Sequence, residues 1–369
     1  MKINNLLLIS VFILFIVGCK KNTNKITIDK VSLSQFADNR TKRIINAEKL
    51  SDLFVQAKII DLETTNNSLI GTIEDIILVP EENKIIILHK TTKYDILVFD
   101  FKGKFLQRIG TQGDGPGEYR NPRPIAYINN KLVVYSQNRK LLFFKLDGSL
   151  LSETSFSERK WNFTIEKMSF YKSDLYVYTN NPYYNFSDNK SYRVFRLINS
   201  TDLGGSFGKP EETFGFDGGD IALFKNKIIF TGIYDGNIYQ ILPEKNECLV
   251  FTSLGELYDI EDIRKSSNKI KYIVENIKEI NAFSKLINID SFLFVKTIKN
   301  LLVVDSTGII INENIKDDLP IPQGFEGNAL RLQCIYYNNG FIQASIRNSR
   351  ITETSTPNPS LIIYESKFH

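Results

Sequence analysis

One glycine-rich stretch has the composition of an anion-binding loop. It reads Gly-Thr-Gln-Gly-Asp-Gly-Pro-Gly-Glu-Tyr from Gly110 to Tyr119, directly after a predicted strand that ends at Ile109. Such loops bind phosphate when Gly-Lys-Ser/Thr and a helix follow, but here Asn-Pro-Arg-Pro follows. Asp114 and Glu118 are oxygen ligands of the kind that Ca²⁺ takes, although solvated carboxylates are the favoured interpretation. Because tight turns need glycine and proline, we predict a turn between strands, with no metal and no cofactor.

The sequence contains few residues for histidine-based catalysis or metal binding. The chain of 369 residues contains 2 histidines, His89 and His369. A zinc site needs two or three neighbouring imidazoles, and a Ser-His-Asp triad needs a well-placed one. His89 lies in an apolar run and is predicted to be a packed strand residue. Metal-dependent lyases and triad hydrolases are therefore disfavoured, whereas tyrosine, arginine and carboxylate chemistry stays open.

The thiol of Cys19 follows a leader-like segment. Lys2 precedes an apolar run from Leu6 to Val17, and Lys20 follows the cysteine. A charged start, a short apolar run and a small residue before the cut are typical of a secretory signal peptide. The run is too short for the ~20 apolar residues that span a bilayer. Its end, Ile-Val-Gly-Cys, resembles the lipobox of bacterial lipoproteins, so we predict a signal peptide over 1–18 and attachment to the lipid bilayer through acylated Cys19.

Composition limits the remaining classes. Lys and Arg number 46 and Asp and Glu 42, for a net charge of +4, and their interspersion gives no basic stripe for nucleic acid. Residues 19–50 are predicted to be a lipidated N-terminus and polar tether, and 51–369 a folded unit. Cys248 and Cys334 lie in apolar segments, where we expect buried free thiols rather than a disulfide.

A polar pair followed by an apolar β-like run recurs along the chain. The six pairs are Asn83-Lys84, Asn130-Lys131, Ser173-Asp174, Asn226-Lys227, Asp290-Ser291 and Asn339-Gly340. Their spacing of about 43 to 64 residues is the size of a propeller blade.

A second landmark, a strand, a polar turn and another strand, follows several of these pairs. Val98–Leu106, Phe143–Leu151 and Val303–Ile310 are the clearest copies, and their glycines suit hairpins that need positive φ. The last repeat lacks a fourth strand, which Ala57–Leu62 near the start would supply. Such closure removes exposed strand edges. We therefore predict an all-β fold, a six-bladed β-propeller, with five or seven blades as the alternatives.

One segment departs from the β pattern. Residues 256–288 are rich in Glu, Lys, Asn and Ile, and Ile270, Ile273, Val274 and Ile277 fall on one helical face. This predicts a short helical insertion in the fifth repeat. It would cover one edge of the propeller or, as the less favoured interpretation, act as a lid or docking helix.

Polar residues near the starts of the first strands are the ligand candidates, because those strands surround a propeller's channel. The candidates are Arg120, Arg123, Asp220 and Arg331. Arginine binds carboxylate or phosphate with a bidentate fork. A surface ion pair is the alternative for each of them.

An aromatic, amide-rich stretch in the third repeat is predicted to be a loop. Within it, Tyr183 and Tyr184 are suited to stacking on a sugar or gripping a peptide, or else to packing over a blade end. Trp161 begins an apolar stretch and is predicted to lie in the core.

The Gly-Pro-Gly-Glu-Tyr motif at 115–119 resembles the signature of the six-bladed β-propeller lipoproteins of Bacteroidota, which are related to NHL-repeat propellers. Leu62-Glu63-Thr64 and Leu69-Ile70-Gly71 are also similar to that family. The resemblance covers most of the chain from about residue 55, but the sharp motif occurs only in the first third. It implies a secreted, membrane-anchored propeller and transfers no catalytic residues.

These patterns favour a membrane-anchored binding or scaffold module for an envelope protein, a peptide or a glycan. The alternative is a channel-located lyase or hydrolase that acts on a glycan or peptide. The resemblance alone suggests a third role, as an accessory subunit of an outer-membrane import system. Lys20 is not the aspartate linked to inner-membrane retention, and no acidic run follows Cys19. We therefore expect the outer membrane, on its periplasmic face.

Overall fold

Six four-stranded antiparallel sheets form a six-bladed β-propeller in this computed structural model, which confirms the predicted fold class and blade count. The structure describes residues 38–155, 164–185, 190–198, 202–207, 219–232, 236–254, 265–267, 271–272, 275–276, 283–297, 301–316, 327–333, 340–347 and 357–367. The predicted signal peptide and Cys19 lie outside these ranges. Within them, no helix combines the length and the apolar character needed to cross a membrane.

The first strands of the blades converge on the channel. They are β2 (Thr72–Val79), β8 (Pro122–Ile128), β12 (Ile165–Tyr171), β16 (Ile221–Phe224), β20 (Phe283–Ile289) and β24 (Gly327–Gln333). Neighbouring blades contact each other through these strands, as β8 and β16 each contact β12. The first strands are therefore the innermost.

Three further strands complete each blade in antiparallel order. For blades 1 to 3 they are β3 (Lys84–Lys90), β4 (Tyr94–Asp100), β5 (Phe105–Arg108), β9 (Lys131–Ser136), β10 (Lys140–Phe144), β11 (Leu150–Ser155), β13 (Asp174–Asn185), β14 (Lys190–Ile198) and β15 (Asp202–Phe207). For blades 4 to 6 they are β17 (Lys227–Thr231), β18 (Asn237–Leu242), β19 (Glu247–Ser253), β21 (Phe292–Thr297), β22 (Leu301–Val304), β23 (Ile310–Ile315), β25 (Gly340–Arg347), β26 (Ser360–Ser366) and β1 (Phe54–Asp61). A small parallel pair, β6 (Thr111–Gln112) and β7 (Glu118–Tyr119), lies between blades 1 and 2.

Left-handed residues form the hairpins at the repeated sequence landmarks. Turns between first and second strands use Asn83 (φ 53°), Asn130 (φ 59°), Asn226 (φ 59°) and Asp290 (φ 54°). Asn and Asp tolerate this conformation because their short side chains bond locally. Gly148 (φ 86°) and Gly308 (φ 94°) serve the turns between third and fourth strands.

The chain closes the ring with its N-terminal strand. β1 pairs antiparallel with β26, from Phe54 opposite Ser366 to Asp61 opposite Ser360. The predicted closing strand is confirmed, although it begins earlier than Ala57, at Phe54.

The core lies between adjacent blades, because the middle strands bury both faces. Along β3, Ile85 and Ile87 pack against Leu361 of blade 6, whereas Ile86 and Leu88 pack against Val134 of blade 2. This explains why the strands are continuous apolar runs rather than alternating ones.

Two short helices precede β1, where the sequence predicts a tether to residue 50. They are α1 (Asn39–Asn46) and α2 (Leu50–Leu53), and the N-cap residue Asp38 accepts the Arg40 and Thr41 amide protons. Residues 38–50 are therefore part of the folded domain, and the predicted tether boundary is wrong.

The α1 helix is held by burial and by one amide side chain. Ile44 and Ile45 are fully buried against blade 5 residues such as Phe294. Asn312 Nδ2, on β23, donates to the carbonyl oxygens of Ile44 at 2.8 Å and Ala47 at 2.9 Å. The anchoring partner is distant in sequence, so the local polarity of this segment does not reveal it.

The predicted insertion is partly described. Lys265, Lys271, Tyr272 and Glu275 are helical, and the Asn276 amide bonds the Tyr272 carbonyl at 3.0 Å. β20 already begins at Phe283, so the predicted end at 288 falls inside a strand.

Replacing Ile44 with alanine should lower the free energy of unfolding by about 2–5 kcal/mol, because it empties a buried site between α1 and blade 5. Denaturant unfolding of the full chain measures the change. Asn46→Ala, at an exposed position of the same helix, is the control and should stay within about 0.5 kcal/mol of wild type. Equal effects of the two variants would show that α1 does not stabilise the propeller.

Candidate functional site

A register irregularity recurs near the start of the first strands. It falls between Ile73 and Asp75, Pro122 and Ile125, Ile165 and Lys167, Phe283 and Lys285, and Leu330 and Leu332. Such bulges re-aim side chains next to functional sites. In blade 4, the corresponding position lies just before β16. There the Thr231 amide donates to the Asp220 carbonyl oxygen at 3.0 Å.

The shared position gathers four charged residues at one level of the channel. Asp75 comes from blade 1, Lys167 from blade 3, Asp220 from blade 4 and Lys285 from blade 5. We call these four residues the channel quartet. All first strands start their blades from the same end, so equal positions along them lie at equal depth.

The carboxyl groups of the quartet are electrostatically linked to its lysines. Desolvation raises the pKa of Asp75 above its usual range, and Lys285 and Lys167 oppose this shift. Desolvation also raises the pKa of Asp220, again against Lys167 and Lys285. Each carboxyl group thus lies within Coulombic reach of both lysines, across blade boundaries.

Asp220 also ties blade 4 to blade 5. Its side chain is 2 % exposed. Its Oδ1 accepts the Ile221 amide proton at 2.9 Å, and Oδ2 accepts that of Leu286 on β20 at 2.9 Å. Gly219, before it, has φ 111°, and a Cβ there would lie 2.4 Å from the Tyr178 hydroxyl. Asp220 is therefore a buried crosslink at the channel rather than an exposed mouth residue.

Arg123 lies next to the quartet on β8. Its Nη1 is 3.7 Å from Glu74 Oε2 on β2, and the two side chains are 44 % and 26 % exposed. This ion pair joins blades 1 and 2 and leaves part of the guanidinium accessible.

Arg120 lies farther out, over the end of β9. Its Nη2 donates to Asp114 Oδ2 in an exposed ion pair, and its amide donates to Ser136 Oγ at 2.7 Å. The structure therefore groups Arg120 with the glycine-rich turn and not with the first strands.

Three other candidates are placed only through their backbone. Arg331 lies in β24. Tyr183 pairs with Tyr192, and Tyr184 with Ser191, in a continuation of the β13–β14 hairpin. The predicted loop at these tyrosines is thus a strand, because its partner at 190–192 extends the ladder. The side chains of all three lie outside the described residues.

Protein carboxylates accept amide protons of the glycine-rich turn. Gly115 N donates to Glu118 Oε2 at 2.8 Å, and Gly117 N donates to Glu153 Oε2 at 2.9 Å. The buried Tyr119 hydroxyl donates to the Ile109 carbonyl at 2.9 Å. Protein carboxylates therefore occupy amides that a phosphate would need, and the structure supports the predicted turn.

The histidine and cysteine positions show no sign of a catalytic or metal site in the described part of the chain. His89 is 2 % exposed, as expected for a packed strand residue, and its Nδ1 accepts the Gly71 amide proton at 3.2 Å. Cys248 is a half-buried free thiol on β19, whereas Cys334, Trp161 and His369 lie outside the described residues. Across the described ranges, no three His, Cys, Asp or Glu side chains are grouped to hold a metal ion.

Sequence reasoning missed three members of the quartet, Asp75, Lys167 and Lys285. Each looks like an ordinary polar residue at the edge of an apolar strand. The available signal is positional: aligning the repeats puts a charged residue at the same place in three first strands and directly before a fourth.

Fold and channel together define a six-bladed β-propeller with a charged inner ring. A family model described as a domain of unknown function, DUF4934, matches residues 37–365. The chain therefore belongs to the DUF4934 family, and the match begins just before α1. No curated protein matches the chain.

Solved structures share the fold at low sequence identity. A predicted exported protein from Bacteroides fragilis is 17 % identical, with a TM-score of 0.64, and the match covers 85 % of this chain and 97 % of that one. The WD40 repeats of RRP9 are 12 % identical with a TM-score of 0.46, over 85 % of this chain and 100 % of that one. The first of these supports the propeller architecture.

Replacing Asp220 with alanine should lower the free energy of unfolding by about 1–3 kcal/mol at pH 7, because it leaves the buried Leu286 amide without its acceptor. Asp220→Asn keeps one acceptor oxygen and should cost less. Denaturant unfolding measures both, and equal costs would exclude the acceptor role.

The cost of Asp220→Asn should also depend on pH. The raised pKa means that Asp220 stabilises the fold most below pH 4, where it is protonated, and that this contribution is lost as pH rises through its native-state pKa. Asn mimics the protonated acid, so the stability deficit of Asp220→Asn should shrink between pH 4 and pH 7. A deficit that grows with pH would contradict the assigned direction.

Proposed function

We propose that this protein is a lipid-anchored binding module of the cell envelope, which holds a peptide, protein or glycan where the channel opens. The charged ring on the first strands carries this proposal. It is built on the innermost strands of the blades, and rigid elements hold binding groups more accurately than loops do. The propeller fold and an exported structural neighbour agree with such a role.

The leader and Cys19 support lipid anchoring, and Lys20 and the lack of an acidic run after Cys19 favour the outer membrane, on its periplasmic face. Residues 20–37 lie between the acylation site and the first described residue. Fully extended, a tether of that length reaches roughly 60 Å. The propeller would then contact partners well away from the lipid surface.

A channel-located lyase or hydrolase is the second candidate. The raised pKa values of Asp75 and Asp220 favour it, since a protonated carboxyl group can act as a general acid. Both oxygens of Asp220 already accept backbone amide protons, however. Binding is therefore the better-supported function.

Photo-crosslinking in the native envelope tests the binding role. A benzophenone side chain at position 123, beside the channel, should capture a partner or ligand that mass spectrometry identifies. The same group at Lys172, in the turn between β12 and β13 at the opposite ends of the strands, is the matched control and should capture none. Equal capture at both positions, or none at position 123, would refute the proposal.

Cys19→Ser should abolish lipid labelling and shift the chain out of the washed membrane fraction, because the acylated thiol is lost. Metabolic labelling with a fatty acid and fractionation measure both effects. Cys248→Ser should change neither. Continued labelling of Cys19→Ser would show that the anchor lies elsewhere.

A further inference from the structure

The crossover that links the ring-closing strand β1 to the first blade, residues 62–71, is held to both of the blades that it joins. From blade 6, Asn358 Oδ1 accepts the Ile70 amide proton at 2.8 Å. From blade 1, His89 Nδ1 accepts the Gly71 amide proton at 3.2 Å. Of these two side chains, the histidine is the one whose charge changes near neutral pH.

The imidazole of His89 is buried with one of its ring nitrogens unpaired. Because Nδ1 accepts a hydrogen bond, the neutral ring carries its proton on Nε2. Nε2 has no hydrogen-bond partner among the described residues, and the side chain is 2 % exposed. A buried donor without an acceptor is costly. The Gly71 amide is therefore the contact that holds the neutral ring in the described part of the chain.

A carboxylate lies directly beside this ring. Asp95 on β4 is the register partner of His89 on β3, and side chains paired in this way lie on one face of the sheet. Asp95 is buried, and its Oδ1 is 3.7 Å from Arg108 Nε, which is longer than a hydrogen bond. On the other side, β2 places the apolar Ile73 opposite His89. Asp95 can therefore accept a hydrogen bond from a protonated imidazole.

The other charged groups near His89 are directed elsewhere. Lys90 follows it on β3, and successive side chains of a strand point to opposite faces. Glu63, the one charged residue in the sequence of the crossover, uses Oε2 to accept a backbone amide proton from β5 at 2.7 Å. Blade 6 packs apolar side chains against this face of β3. Across the described residues, Asp95 and Arg108 are therefore the charged groups that act on the imidazole.

Burial determines which form of His89 the folded protein favours. Desolvation lowers the pKa of His89 below its usual range, Asp95 opposes this shift and Arg108 adds to it. The ring is therefore neutral in the folded protein at pH 7. Its contribution to stability is complete above the usual histidine pKa of about 6.5. That contribution is lost as the pH falls from there toward the lower native-state pKa.

We propose that His89 is an acid-operated latch on the crossover that closes the ring. In acid, a solvent proton binds Nδ1, the Gly71 amide loses its acceptor, and the imidazolium donates to Asp95 instead. Gly71 directly precedes β2, the strand that carries Asp75, so opening loosens the start of that strand. The latch needs no ligand and is therefore independent of the proposed binding function.

Hydrogen exchange with mass spectrometry tests the latch on the detergent-solubilised full chain. The measured quantity is the protection factor, which corrects for the direct effect of pH on amide exchange. Between pH 7.5 and pH 5.5, protection of a peptide that spans Gly71 should fall about tenfold, as expected for one imidazole with an unperturbed pKa of about 6.5. Protection of β9 and β10 in blade 2 should change by less than about twofold, because only local opening is involved.

Three variants separate the latch from other effects of acid. His89→Asn places an amide oxygen near the position of Nδ1 but does not titrate, so its protection should be the same at both pH values. His369→Asn changes the other histidine of the chain and should keep the tenfold fall. Asp95→Asn removes the acceptor of the imidazolium, so the fall should move to lower pH.

Several results would overturn the latch. Protection at Gly71 that does not change with pH in the wild-type chain would do so, and this measurement needs no variant. An equal fall in β9 and β10 would show that acid unfolds the whole propeller. An undiminished fall in His89→Asn would assign the titration to another group, and a wild-type midpoint in Asp95→Asn would exclude the transfer to that carboxylate.

Discussion

The pairing of β1 with β26 is the interaction on which the rest of the structure depends. It joins residues 54–61 to residues 360–366, almost the full length of the chain apart. Without it, blade 6 would keep only three strands and expose an edge, which sheet proteins avoid. The α1 and α2 helices lie directly before β1, so their burial against blade 5 reinforces the same closure. A long-range pairing of this kind costs loop-closure entropy, which is offset only when the contacts of the completed ring have formed.

Closure fixes the first strands around one axis, and that geometry creates the charged ring. Asp75, Lys167, Asp220 and Lys285 are unremarkable one by one, because each is one of several polar residues in, or directly before, a first strand. Brought to one level, they form a cluster in which burial raises the pKa of both carboxyl groups and the lysines oppose the rise. Asp220 holds its position in the cluster by accepting a hydrogen bond from the Leu286 amide on the next blade.

Sequence pattern predicts the repeats well where local chemistry decides the structure. Asn83, Asn130 and Asp290 adopt the left-handed turns that their side chains favour, and the apolar runs after them are strands. Prediction from the sequence fails where a segment's structure depends on a partner that is distant in the chain. The segment that contains Ile44 looks like a tether until Asn312 supplies its anchor, and Tyr183 looks like a loop residue until residues 190–192 pair with it. The ring itself needs all the blades in register before its members meet.

A double-mutant cycle between Asp75 and Lys285 tests most directly whether the channel charges form one network across blades. Asp75→Asn, Lys285→Met and the double variant are compared by their free energies of unfolding. Coupling between Asp75 and Lys285 should be at least about 0.5 kcal/mol, as for residues within one network. The cycle of Asp75 with Lys172, an exposed residue paired with Glu244 on the outer surface, should show no measurable coupling. Additive effects of Asp75→Asn and Lys285→Met would contradict the account, because the ring would then be four independent charges.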